Sequence, residues 1–125
     1  MADPKFVFEC IKMHFIEENA KDWYTIANDI ANNYHLYKDD EEGIIAGKNT
    51  GDGELYFIEV KALGTPKLVW VFKMLAILDT IKADKSIKKI YTHTKSLRVK
   101  AIMEKRGWKT KNFIEPAWEI YYENI

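Results

Sequence analysis

One succession of segments constrains the fold of this chain more than any other: a strand-like run, a turn, a long apolar run and a second strand-like run. The strand-like runs are Glu54–Val60 and Ile87–His93. The apolar run, from Lys67 to about Lys82, holds no turn residue and is too long for a strand, so we expect a helix. Because a helical crossover joins parallel neighbours, the two strands are predicted to run parallel in one sheet.

The remaining segments supply further helices and antiparallel strands. Asp3 and Pro4 open a predicted helix that ends near Glu17. An apolar stripe with helical spacing predicts a second helix, and its members are Trp23, Ile26, Ala27, Ile30, Ala31 and Tyr34. The runs YHLYK, GIIAGK and ELYFIEV, separated by the turns DDEEG and NTGDG, predict three antiparallel strands.

After the parallel pair, KSLRVKAIMEKRG predicts a helix that ends at Gly107, and WKTKNF and AWEIYYENI predict two closing strands. The expected fold class is therefore α/β (α+β), with a mixed central sheet of about six strands flanked by four helices. Residues 1–125 are expected to form a single domain, since 125 residues suit one core.

Composition and charge limit the setting of the protein. The single cysteine, Cys10, forms no internal disulfide, and the longest apolar run, Leu68–Leu78, is interrupted by Lys73 and too short to span a bilayer. We therefore expect a cytoplasmic protein without membrane contact. Residues 1–60 hold 5 basic and 13 acidic residues, whereas residues 61–125 hold 14 basic and 6 acidic ones. This asymmetry indicates an anionic ligand, a nucleic-acid backbone, contact between copies, or a solvated lysine-rich surface.

The order of elements and two local sequences resemble the GCN5-related N-acetyltransferases (GNAT). The run KSLRVKAIMEKRGW is similar to a late helix of that family at its Gly107-Trp108 ending, and KALGTP occupies the position of its acyl-CoA loop. The resemblance implies acetyl-CoA as cofactor, with Lys61, Gly64, Thr65 and Lys67 in the loop, and Ser96 at the position of the helix-opening Asn. A second interpretation is a plain turn, with Thr65 as N-cap and Pro66 as the first helical residue.

The resemblance also implies a base for the acceptor amine and an acid for the departing thiolate. Glu59, near the end of a strand, and His93, at the end of the next, are the candidate bases. The family's acidic Tyr corresponds to Met103, which has no proton to give, so Tyr121 is the preferred substitute. Tyr91 and Tyr122 are its alternatives. No spacing of Cys, His, Asp or Glu predicts a metal site.

The sequence thus indicates a GNAT-like acyl-CoA-dependent N-acyltransferase with a degenerate donor loop and no identified acceptor. The alternative is a noncatalytic GNAT-fold scaffold, or a phage virion or internal protein, acting through self-association or partner binding by the Leu68–Leu78 helix. Trp70 and Phe72 lie about 200° apart on that helix, so at least one of them is expected to be buried against another subunit or a partner chain. Nucleic-acid binding ranks last, because the sequence shows no stacking platform.

Overall fold

The helices and strands follow the predicted order. A computed structural model describes residues 23–62 and 64–124. The elements are helix α1 (Trp23–Asn33), strands β1 (His35–Asp40), β2 (Gly43–Gly51) and β3 (Glu54–Lys61), helix α2 (Lys67–Lys82), strand β4 (Lys89–Thr94), helix α3 (Leu97–Lys105), and strands β5 (Lys109–Asn112) and β6 (Trp118–Glu123). The predicted first helix and Cys10 lie outside the described residues, which contain three helices rather than four.

The six strands form one mixed sheet in the order β1-β2-β3-β4-β6-β5. Strands β3 and β4 are parallel, from Glu54 opposite Lys89 to Tyr56 opposite Tyr91. Strand β1 pairs antiparallel with β2, and β6 pairs antiparallel with both β4 and β5. The predicted parallel pair and the predicted fold class are confirmed.

The described residues group into two compact units. The first contains residues 23–48 and 58–77, and the second contains residues 49–57 and 78–124. The expectation that residues 1–125 form one domain stays a prediction. In the first unit, Ala27 and Ile30 of α1 pack with Ile44, Ala46 and Val60 in one buried cluster, so this part of the predicted stripe does face a core.

The second unit has its own core beneath α3. Its fully or nearly buried apolar residues include Phe57, Ile90, Met103, Trp108 and Ile120. Helix α3 stops before Gly107, whose φ of 91° is a left-handed conformation that glycine adopts without strain. This turn brings the Trp108 ring edge-on to Phe57, with ring centroids 6.1 Å apart.

Helix α2 presents apolar side chains both to its own chain and to the surface. Trp70 is only 2% exposed and is therefore covered by its own chain, whereas Phe72 is 49% exposed. The predicted burial against another subunit or a partner chain therefore concerns Phe72, and it stays a prediction. None of the helices in the described residues is both long and apolar enough to cross a membrane.

Candidate functional site

The loop between β3 and α2 is fastened to the turn between β1 and β2. The backbone carbonyl of Glu42 accepts a hydrogen bond from the N–H of Ala62 at 3.0 Å and another from the hydroxyl of Thr65 at 2.9 Å. The Glu42 carboxylate is itself paired with Lys38 and Lys73. Hydrogen bonds from Lys73 and then from Lys38 lower the pKa of Glu42, although desolvation opposes the shift. One residue thus fixes both ends of the loop.

The start of α2 differs from the capped turn that the sequence allowed. Thr65 directs its hydroxyl to Glu42, and Pro66 lies just before the first helical residue, where its carbonyl accepts the N–H of Trp70 at 3.0 Å. Thr65 as N-cap and Pro66 as first helical residue are therefore both wrong. The N–H groups of Lys67 and of the two residues after it have no acceptor within the helix, since they belong to its first turn.

Open space and positive charge accompany these amides. Gly64 is exposed, and a Cβ atom built on it would meet no atom of residues 23–62 and 64–124 within 4 Å. Lys61 donates from Nζ to the carbonyl of Ala62 at 3.1 Å, and Lys67 is exposed at the helix start. Backbone amides at the positive end of a helix, with lysines on both sides, are the donor set that a pyrophosphate requires. The residues present therefore fit the phosphates of coenzyme A.

Glu59 is already engaged by a neighbour. Its carboxylate accepts a hydrogen bond from Nε1 of the buried Trp70. The six-membered part of the Trp70 ring lies against Gly43. This contact gives Glu59 a packing role in the first unit, and its role as a base stays a prediction.

His93 belongs to the second unit and contacts a buried carboxylate. Its Nε2 lies 3.3 Å from Oε1 of Glu119, which is 8% exposed. Lys89 and Lys111 approach the other carboxylate oxygen at 3.5 and 3.1 Å. Burial acts to raise the pKa of Glu119, but the hydrogen bonds from Lys111 and His93 and the nearby positive charge lower it overall. Glu119 is therefore ionised at neutral pH.

An ionised Glu119 fixes the tautomer of His93. Because the carboxylate can only accept, Nε2 carries the hydrogen and Nδ1 keeps its lone pair. His93 can thus accept a proton through Nδ1, which is the property required of a general base.

The candidate tyrosines have different surroundings. Tyr121 is half-buried, and the ammonium groups of Lys89 and Lys111 lie 5.3 and 5.5 Å from its ring centroid. Tyr91 donates its hydroxyl to Thr50 at 2.8 Å. Tyr122 faces Lys82, whose Nζ lies 4.1 Å from its ring centroid.

Two positions of α3 have structural contacts. Ser96 caps the helix, because its Oγ accepts the N–H of Val99 at 3.2 Å. Its own N–H donates to the hydroxyl of Thr94. Met103, at the position that resembles the family's Tyr, is completely buried. Contact of Ser96 with a cofactor stays a prediction.

The structure therefore brings the candidates together in two groups. The first unit holds the loop residues and Glu59, and the second holds His93, Ser96 and Tyr121. Sequence reasoning missed Glu42 and Glu119, although strand alternation in AWEIYYENI places Glu119 on the same face as Tyr121. Across the described part of the chain, no three His, Cys, Asp or Glu residues are grouped to hold a metal ion.

Known proteins resemble this chain in structure but not in sequence. No protein-family model matches the chain, and no curated protein matches its sequence significantly. Its structure is similar to aminoglycoside 6'-acetyltransferase type Ii, with a TM-score of 0.68 and 14% identity over 98% of this chain and 90% of that one.

Two further similar structures were determined with CoA or acetyl coenzyme A bound. A Bacillus subtilis acetyltransferase in complex with CoA gives a TM-score of 0.63 and 12% identity, over 90% of this chain and 89% of the other. The Campylobacter jejuni N-acetyltransferase PseH in complex with acetyl coenzyme A gives a TM-score of 0.61 and 12% identity, over 98% of this chain and 90% of the other. Identities this low establish the fold alone. This chain therefore has the fold of the GCN5-related N-acetyltransferases.

Proposed function

We propose that this chain is an acyl-CoA-dependent N-acyltransferase whose β3–α2 loop binds the pyrophosphate of acetyl-CoA. The observation that carries the proposal is the open backbone at Gly64, in a loop that the Glu42 carbonyl holds at both ends. Glycine adds no side chain next to the start of α2. The absence of one lets a phosphate approach the backbone amides closely.

The charges around the loop support the same ligand. Lys61 and Lys67 flank the loop, and the first-turn amides of α2 add the positive end of the helix dipole. Acetyl-CoA would supply an activated acyl group as a thioester. The chain's own loop residues would hold the phosphates and so fix the position of that group.

The acceptor must be an amine that loses a proton. His93 is the proposed base, because Glu119 directs the lone pair to Nδ1. Tyr121 is the proposed acid in place of the buried Met103. Two solved structures with this fold are named as an aminoglycoside and a spermidine acetyltransferase, so a panel of candidate acceptors should begin with polyamines and amino sugars.

The test is release of free CoA thiol from acetyl-CoA in the presence of a panel of primary amines. Loss of a general base slows turnover by roughly 100-fold or more. We therefore expect His93→Gln to lower kcat by that factor and to leave CoA affinity unchanged. His35→Gln is the matched control, because His35 packs edge-on to Tyr37 in β1 and has no proposed role. Equal turnover of wild type and His93→Gln would contradict the role of His93.

A noncatalytic protein with this fold is the second candidate. The burial of Met103 favours it, because α3 then offers no acid at the position where the family carries its Tyr. Ser96 also favours the noncatalytic candidate, since its hydroxyl caps the helix. Binding of CoA without thiol release with any amine would support this candidate over the first.

A further inference from the structure

A row of three tyrosines crosses one face of the sheet in the second unit. Tyr56 pairs with Tyr91, and Tyr91 pairs with Tyr121 on the next strand. Side chains at paired positions of neighbouring strands lie on the same face of a sheet. The rings of Tyr56 and Tyr91 are 5.2 Å apart at their centroids, and all three residues are half-buried.

Two more aromatic rings extend this row. The His93 ring lies 5.4 Å from Tyr56, and Phe113 stacks on it at 3.8 Å with the ring planes 6° apart. Phe113 is 47% exposed, so the stack reaches solvent. We call the set Tyr56, Tyr91, Tyr121, His93 and Phe113 the aromatic face.

The buried apolar residues of the same three strands lie on the other side of the sheet from the aromatic face. The alternate residues of the same strands, Leu55, Ile90 and Ile120, are nearly or fully buried on the opposite side of the sheet. Strand alternation thus leaves a second surface of aromatic rings that is partly open to solvent. Such surfaces in soluble proteins mark binding sites.

Lysines border the aromatic face along strand β5. Lys111 has a side chain that is 56% exposed, and Lys109 lies opposite Tyr121 in the sheet. The Glu119 carboxylate is in contact with the side chains of Lys89, Lys111 and His93. The other acidic residues of this face, Glu54 and Glu123, lie on either side of Lys89, at the end of the face remote from Phe113. The edge of the aromatic face along β5 therefore carries the positive charges of Lys109 and Lys111.

We propose that the aromatic face binds single-stranded nucleic acid, with bases stacked on its rings and phosphates along Lys109 and Lys111. Rings with planar, partly exposed faces accept bases of any sequence, and bordering lysines neutralise the backbone. The excess of 14 basic over 6 acidic residues in positions 61–125 favours an anionic partner of this kind. This inference does not depend on acyl transfer.

The test is fluorescence anisotropy of a labelled 15-nucleotide poly-dT or poly-U strand. Tyr91→Phe and Tyr91→Leu both lose the hydrogen bond to Thr50, but only Leu loses the ring. We expect Tyr91→Phe to bind as wild type does, and Tyr91→Leu to bind about tenfold more weakly, as for one lost stacking contact. Thermal unfolding checks that both variants are folded. Equal affinity of the two variants, or no binding by wild type at low salt, would overturn the proposal.

Salt dependence tests the lysines separately. Each phosphate contact of a single strand adds about 0.7 to the slope of log affinity against log salt. The double variant Lys109→Gln, Lys111→Gln should therefore flatten the slope by about 1.4. Lys105→Gln, an exposed lysine at the end of α3, should leave it unchanged. A slope unaffected by the double variant, or displacement of the strand by UMP as effectively as by unlabelled strand, would contradict binding of a nucleic-acid strand.

Discussion

The ring of Trp70 lies so close to the backbone of Gly43 that a Cβ atom built on Gly43 would come within 2.7 Å of Trp70 Cη2. The same Cβ would lie 2.5 Å from the carbonyl oxygen of Val60. Gly43 also has a φ of +148°, which side chains rarely adopt. The contact joins the β1–β2 turn to the end of β3 and the start of α2, which are the two segments that flank the candidate donor loop.

The substitution Gly43→Ala should lower the free energy of unfolding by about 2–4 kcal/mol, because backbone strain and overpacking both contribute. Gly64→Ala is the matched control, since its Cβ meets no atom of the described residues within 4 Å, and it should change stability by less than about 0.5 kcal/mol. Urea unfolding of both variants checks this. Equal stability of Gly43→Ala and wild type would mean that the close contact is absent.

Glu59 can be assigned a packing or a catalytic role by comparing two substitutions. Trp70→Phe leaves the half-buried carboxylate without its indole donor and should cost about 1–2 kcal/mol, whereas Glu59→Gln keeps an acceptor and should cost less. If Glu59 only packs, Glu59→Gln also preserves the rate of thiol release. A loss of roughly 100-fold in kcat with unchanged stability would instead identify Glu59 as a base.

The lowered pKa of Glu119 predicts how stability depends on pH. A carboxyl group with a folded pKa below its ordinary value of 4.5 contributes stability above that value and loses it as the pH falls through the folded pKa. Wild type should therefore exceed Glu119→Gln by about 1–2 kcal/mol at neutral pH, and the difference should shrink below about pH 4.5. Urea unfolding of both proteins from pH 3 to 7 measures it. A difference independent of pH would contradict the lowered pKa.

Ser96 caps α3, and two substitutions test whether it also contacts the cofactor, as the resemblance implies. Ser96→Ala should cost about 1 kcal/mol, because the N–H of Val99 loses its acceptor, while Ser96→Asp keeps an acceptor and should stay near wild type. If the hydroxyl only caps the helix, the affinity for CoA should be the same in all three proteins. A tenfold weaker affinity of Ser96→Ala at unchanged stability would show that the hydroxyl contacts the cofactor.

The fold was predictable because its signals are local. The helix between Glu54–Val60 and Ile87–His93 dictates a parallel pair, and Gly107 marks the end of α3, where its positive φ is observed. These features depend on residues that are neighbours in the chain. The handedness and length of the crossover leave few other topologies.

The candidate site was less predictable because its contacts are distant in the chain. The Thr65 hydroxyl is an ordinary capping group in sequence, but a carbonyl 23 residues away captures it instead. Glu119 and His93 are neighbours because the register of β4 and β6 places them opposite each other. The hydrophobic pattern of two strands with many polar residues does not determine that register. The aromatic face was not predicted either, because its tyrosines lie on three different strands.

Isothermal titration calorimetry of CoA with wild type, Gly64→Val and Gly64→Ala tests the central claim most directly. Wild type should bind one CoA per chain, and Gly64→Val should bind at least about tenfold more weakly, because its branched side chain fills the approach to the amides. Gly64→Ala should fall between them, and unfolding should show all three equally folded. Lys61→Glu should weaken binding similarly by placing a like charge beside the phosphates. Absence of CoA binding to wild type at about 1 mM, or equal binding by Gly64→Val and wild type, would contradict a donor site at this loop.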